Sequence, residues 1–124
     1  MLRVLWLLPF ALFSCKGQVM TGEEIAALLP GRVMAGGGHP TDTLNGHTWQ
    51  FWRADGSTVT SGFILRGWGD WKVDGNRYCE LMGIMEEWEC YTVYRRPGPE
   101  GLTLHFEGPR SQTGFLMPEG TPFP

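Results

Sequence analysis

The amino-acid sequence predicts a mainly β domain: one short N-terminal helix, then a meander of about seven to eight antiparallel strands, closed or half closed into a barrel. Three observations lead there. Apolar spacing changes from a period of 3.6 to a period of 2 after Pro30-Gly31. Asp-Gly pairs, at Asp55-Gly56 and Asp74-Gly75, sit between alternating runs, which is a strong hairpin signal. Finally, 18 glycines and 9 prolines in 124 residues punctuate the chain into many short elements. A two-sheet sandwich is the alternative arrangement of the same strands.

The N-terminus reads as an export segment. Met1-Leu2-Arg3 is a short positive start, and Val4 to Phe13 (VLWLLPFALF) is apolar throughout. That run falls well short of the roughly 20 residues a membrane-spanning helix needs, and Pro9 interrupts it. Leu12-Phe13-Ser14-Cys15 resembles the lipobox of bacterial lipoproteins, although Phe13 departs from the small or β-branched residue preferred there. The resemblance implies an acylated Cys15, held in a membrane by several acyl chains. The alternative is cleavage after Gly17, with Cys15 and Gly17 as the small residues. The expected organisation is therefore a signal peptide of lipoprotein type over 1–14, a tether over 15–20, one β-rich domain over 21–117 and an irregular, proline-rich tail over 118–124.

Val19 to Pro30 reads as a helix. Thr21 is its N-cap and Glu24, three residues on, completes a capping box. Ile25, Leu28 and Leu29 form an apolar stripe for docking on a sheet. Strands follow over Val33–Gly38, His47–Arg53, Ser57–Leu65, Trp68–Val73, Arg77–Met82, Glu87–Tyr94, Leu102–Phe106 and Thr113–Met117, with Arg96 to Gly101 as a Pro/Gly turn. Trp49, Phe51, Trp71 and Trp88 are the expected core aromatics. Trp52 and Trp68 fall on the opposite parity or in a loop, which makes them candidates for an exposed binding patch.

The three cysteines are an odd number for an exported chain. Cys79 and Cys90 lie on strands expected to pair, at positions a disulfide can span. Cys15 is then left over, a difficulty that acylation removes. A metal site would need more ligands at close spacing, and the spacing is not that of a CxxC redox pair.

The remaining chemistry is sparse. The formal net charge is -3, and removing residues 1–14 would take away Arg3 and no acid. Arg95-Arg96 is the one adjacent basic pair, so the electrostatic footprint of a nucleic-acid binder is missing. His39, His47 and His105 show no metal-binding spacing, and no serine stands in a nucleophile elbow. Neither a metal nor a cofactor is expected. Glu86, Glu87 and Glu89 read as an acidic hairpin tip that is either simply solvated or able to engage a basic cleft.

The stretch from Trp49 to Tyr94 resembles a pattern found in small exported bacterial proteins of unknown function. Its marks here are Asp55-Gly56, Gly69 to Gly75 (GDWKVDG), Cys79, and Cys90 to Tyr94 (CYTVY). The architecture is similar to lipocalin-like barrels. The resemblance implies a fold, not a reaction.

The leading expectation is a non-enzymatic envelope lipoprotein, in the periplasm or cell envelope, or secreted if Cys15 is not acylated. Its partners would be the membrane, through the lipid, and a small apolar ligand or an envelope protein. An exported inhibitor of a lytic enzyme such as lysozyme is the second reading. A small hydrolase working through His47 or His105 is the third.

Overall fold

Each glycine turn read from the sequence folds neighbouring strands together, and the last strand returns to pair with the first of the meander. A computed structural model describes residues 13–14, 16–36, 48–62, 66–98 and 101–124. In chain order the elements are β1 (Phe13–Ser14), β2 (Gly17–Val19), α1 (Gly22–Leu28), β3 (Val33–Gly36), β4 (Thr48–Trp52), β5 (Ser57–Ser61), β6 (Arg66–Asp74), β7 (Arg77–Met82), β8 (Glu89–Gly98), β9 (Gly101–Glu107) and β10 (Gln112–Leu116).

Strands β3 to β10 form an up-and-down antiparallel barrel. Each pairs with the next, and β10 pairs with β3 to close the ring. Closure removes the sheet edges that an open meander would expose. Beyond the barrel, β2 adds to β8 through Gln18↔Arg95 and Val19↔Tyr94, and β1 pairs with β2.

The Asp55-Gly56 turn works as its chemistry requires. Gly56 takes a φ of 93°, and the Asp55 carboxylate accepts from the Ser57 N–H at 2.9 Å and from its hydroxyl at 2.7 Å. Those two bonds hold the Asp55 carboxyl below its ordinary range.

The helix has the expected cap. The Glu24 N–H donates to Thr21 Oγ1 at 3.2 Å and the Thr21 N–H donates to Glu24 Oε1 at 2.9 Å. Ile25 and Leu29 are buried with Met20 against the barrel core, so α1 plugs one end. Contact there is close: a Cβ on Gly22 would lie 1.9 Å from the Gly75 carbonyl oxygen. The Gly22 N–H also donates to Asn76 Oδ1 at 2.9 Å.

The core is aromatic and centres on Tyr78, whose ring meets Phe106 at 5.2 Å, Trp52 at 6.1 Å, Trp71 at 6.2 Å and Tyr91 at 6.3 Å. Burying side chains of this size contributes about 1.5–3 kcal/mol each before entropy is charged. Three of the expected core aromatics lie elsewhere, and only Trp71 is inside. Trp49 and Phe51 are only half buried, while Gln50 and Trp52 face inward. The strand carries aromatics on both parities, so alternation alone does not choose a face. What distinguishes Trp52 is a partner inside, since its indole N–H donates to Tyr78 Oη at 2.9 Å. Trp88 precedes β8 and remains 38% exposed, with the Lys72 ammonium 4.2 Å from its ring centre.

Two boundaries also differ. Residues 17–20, expected as a tether, join the fold: β8 runs past the end of β7 and offers β2 a free edge. Met20 is then buried, with its N–H on Val93 O at 2.8 Å. The expected turn from Arg96 is shorter, because β8 continues to Gly98 and faces Gly101 directly. The expected strand ends at 37–38, 47 and 63–65 lie outside the described residues.

Candidate functional site

The register fixes which side chains enter the barrel. Gln50, Trp52, Thr58, Thr60, Trp71, Tyr78, Glu80, Glu89, Tyr91, Val93 and Phe106 share the inward parity across β4 to β9. Toward α1 these positions are apolar. Toward the opposite end they become Gln50, Thr60, Glu80 and, on β10, Gln112, which line a cavity of about 230 Å³ with Met34 and Thr48.

One hydrogen-bond network joins the core to this cavity. Trp52 Nε1 donates to Tyr78 Oη, and the Tyr78 hydroxyl donates to Glu80 Oε1 at 2.7 Å. Burial, then the charge of Glu80, pushes the Tyr78 hydroxyl well above its ordinary range, so it stays a donor. Gln50 Nε2 faces three oxygens: Thr58 Oγ1 at 3.0 Å, Tyr78 Oη at 3.3 Å and Glu80 Oε1 at 3.4 Å. Thr58 has spent its hydrogen on the Phe51 carbonyl at 2.8 Å, and Tyr78 has spent its own on Glu80. All three therefore accept, which fixes the orientation of the Gln50 amide.

At the rim, Glu89 accepts from Arg110 Nη2 at 2.8 Å and from the Tyr91 hydroxyl at 2.9 Å. Arg110 holds the Glu89 carboxyl below its ordinary range. Burial, and then Glu89, pushes Tyr91 up to about 12. A wider groove of about 780 Å³ opens beside this rim, with Trp68, Met82, Ile84 and Met85 supplying its apolar surface.

Compared with known proteins, the chain matches no family model, no curated protein and no solved structure.

The structure brings some of the residues singled out from sequence together and leaves others apart. Cys15 lies outside the described residues, as do His39 and His47. Cys79 and Cys90 are disulfide-bonded and stand directly opposite each other on β7 and β8. Trp52 is fully buried and is a core residue, not a binding surface. Trp68 is 52% exposed on β6, with the Arg53 guanidinium 5.3 Å from its ring centre. Glu86 and Glu87 are exposed in the β7–β8 loop. Glu86, Glu87 and Glu89 line one shallow, open pocket of about 480 Å³ with Trp88, and Glu89, which begins β8, is also paired with Arg110.

His105 sits on the outer face of β9. Its Nδ1 is 2.7 Å from Thr113 Oγ1 and its Nε2 is 2.6 Å from Glu107 Oε2. Lys16, and then His105, hold the Glu107 carboxyl down at about 2. Among the described residues no three His, Cys, Asp or Glu side chains converge as metal ligands.

Gln50, Thr60, Glu80 and Arg110 were not legible as site residues. The available signal was weak: a polar residue at inward parity within an aromatic strand, and a carboxylate beside Cys79.

Proposed function

We propose that this chain is an exported envelope lipoprotein whose barrel is a non-catalytic binding domain, taking a ligand or partner at the end away from α1. The difference between the barrel's two ends carries this reading. One end is filled by α1 and the aromatic core, whereas the other holds a polar cavity of about 230 Å³ beside an apolar groove of about 780 Å³. Concave sites with mainly apolar walls and a few placed polar groups are the usual form of small-molecule sites. Export is supported by the positive, then apolar, N-terminal segment and by the disulfide, which persists in oxidising compartments. Phe13–Ser14 would leave with the signal, and the β2–β8 pairing would remain.

Two measurements test this. Intact mass of the protein from the envelope fraction should show an acylated Cys15. An apolar fluorescent probe should bind the rim and be weakened by Trp68→Ala. Soluble cytosolic protein with free thiols, or a probe that binds nowhere, would overturn it.

The β7–β8 loop favours a second reading, an inhibitor of a lytic enzyme. Ile84 is 100% exposed there, beside Glu86, Glu87 and the partly exposed Trp88. An acidic loop with an apolar tip complements a basic, aromatic-lined cleft. Lysozyme that remains fully active with the protein in excess would dismiss this reading.

A further inference from the structure

The cavity at the end away from α1 is short of donors among the described residues. Gln50 is 6% exposed and lines it, yet its amide oxygen has no hydrogen-bond partner among the described residues, because the network above commits only the nitrogen. Glu80 lines the same cavity and has no cationic partner among the described residues, whose ion pairs are Lys16–Glu107, Arg95–Glu24, Arg110–Glu89 and His105–Glu107. Its hydrogen bonds come from Tyr78 and Gln50 and converge on Oε1. A buried acceptor left unsatisfied, as Gln50 Oε1 is, is costly, and the half-buried Glu80 carboxylate faces the cavity without a counter-charge among the described residues. The hydroxyls of Thr48 and Thr60 complete the polar lining.

We infer that this cavity is a binding site for a small organic ammonium ion, whose N–H groups donate to Gln50 Oε1 and to the Glu80 carboxylate. The inference deepens the binding-domain reading and rests on it. Size agrees: about 230 Å³ holds several water molecules at about 30 Å³ each, which suits a short amine and excludes a lipid-sized one. Met34 gives the alkyl stem an apolar wall. A bare divalent cation fits poorly, since calcium takes six to eight oxygens and the described residues supply one carboxylate to the cavity. A neutral donor would leave Glu80 without its counter-charge.

The disulfide-bonded protein, titrated with n-butylammonium chloride, should show saturable shifts of the Gln50 side-chain amide resonances. The neutral isostere n-butanol should bind at least about tenfold more weakly, the margin expected when one hydrogen-bond partner is ionised. Glu80→Gln keeps the shape of the side chain and should erase that preference. Thr60→Val, a milder change, should weaken the amine several-fold while leaving the fold intact. Equal binding of butanol would overturn the ammonium assignment and leave the binding-domain reading standing. Calcium chloride that shifts the same resonances and is not displaced by the amine would also overturn it. If neither the amine, the alcohol nor the apolar rim probe binds, both readings fall together.

Discussion

Glu80 and Glu89 stand directly opposite each other on β7 and β8, each one residue inward from the disulfide that joins Cys79 to Cys90. Like charges at facing positions are unfavourable. Each carboxylate is served separately: Glu80 by the Tyr78 hydroxyl, Glu89 by the Tyr91 hydroxyl and Arg110. Among the described residues Glu89 has a cation and Glu80 has none, and Glu80 lines the cavity.

Arg110→Met should therefore raise the Glu89 titration midpoint toward its ordinary value of 4.5. A depressed carboxyl contributes stability above its unfolded value, and loses it as pH falls through the folded one. The variant should be less stable than the parent at neutral pH, and the gap should close on acidification. Carboxyl-carbon NMR titration and thermal melts across that range would test it; a gap independent of pH would refute the assignment.

Removing the staple with Cys79→Ala plus Cys90→Ala should cost about 3 kcal/mol, because a short loop is closed in the unfolded chain. Urea unfolding of both forms measures it. An unchanged midpoint would mean that the sheet holds β7 to β8 without help.

The two tryptophans once equivalent as surface candidates should separate sharply. Trp52→Ala removes a fully buried indole and the shorter of the two hydrogen bonds donated to Tyr78 Oη, which should cost about 3–5 kcal/mol. Trp68→Ala removes a half-exposed ring and should fall within about 0.5 kcal/mol of the parent. Chemical denaturation decides, and similar losses for the two would contradict the burial pattern.

Gly22→Ala tests the plug. Alanine favours a helix over glycine by about 1 kcal/mol. Here the added methyl would meet the Gly75 backbone oxygen at 1.9 Å, so the helix must shift and the net effect should be a loss of about 1–3 kcal/mol. A stabilised variant would show that α1 rests more loosely on the β6–β7 turn.

The fold was legible because its signals are local. Thr21 and Glu24 declare the helix start, Asp55-Gly56 and Asp74-Gly75 declare two turns, and Cys79 with Cys90 fixes one register. Facing was legible only where one parity was plainly polar. Around Trp49 to Trp52 both parities are aromatic apart from Gln50, and the choice is made by Tyr78, which lies elsewhere in sequence. The site was hidden for the same reason. Gln50 and Glu80 are ordinary strand residues until the register of three hairpins turns both toward one cavity.

Two ladders of the barrel are short. Tyr78↔Tyr91, Cys79↔Cys90 and Glu80↔Glu89 join β7 to β8, and Gly114↔Gly36, Phe115↔Ala35 and Leu116↔Met34 join β10 to β3. A covalent bond locks the first, whereas the second includes two glycines and is held by backbone pairing, with the Arg32 guanidinium on the Met117 carbonyl just beyond its end. Local opening begins where the least free energy resists it. Amide protons along Met34 to Gly36 and Gly114 to Leu116 should thus exchange with deuterium sooner than those of β7, making the β3–β10 seam the place where the cylinder breathes.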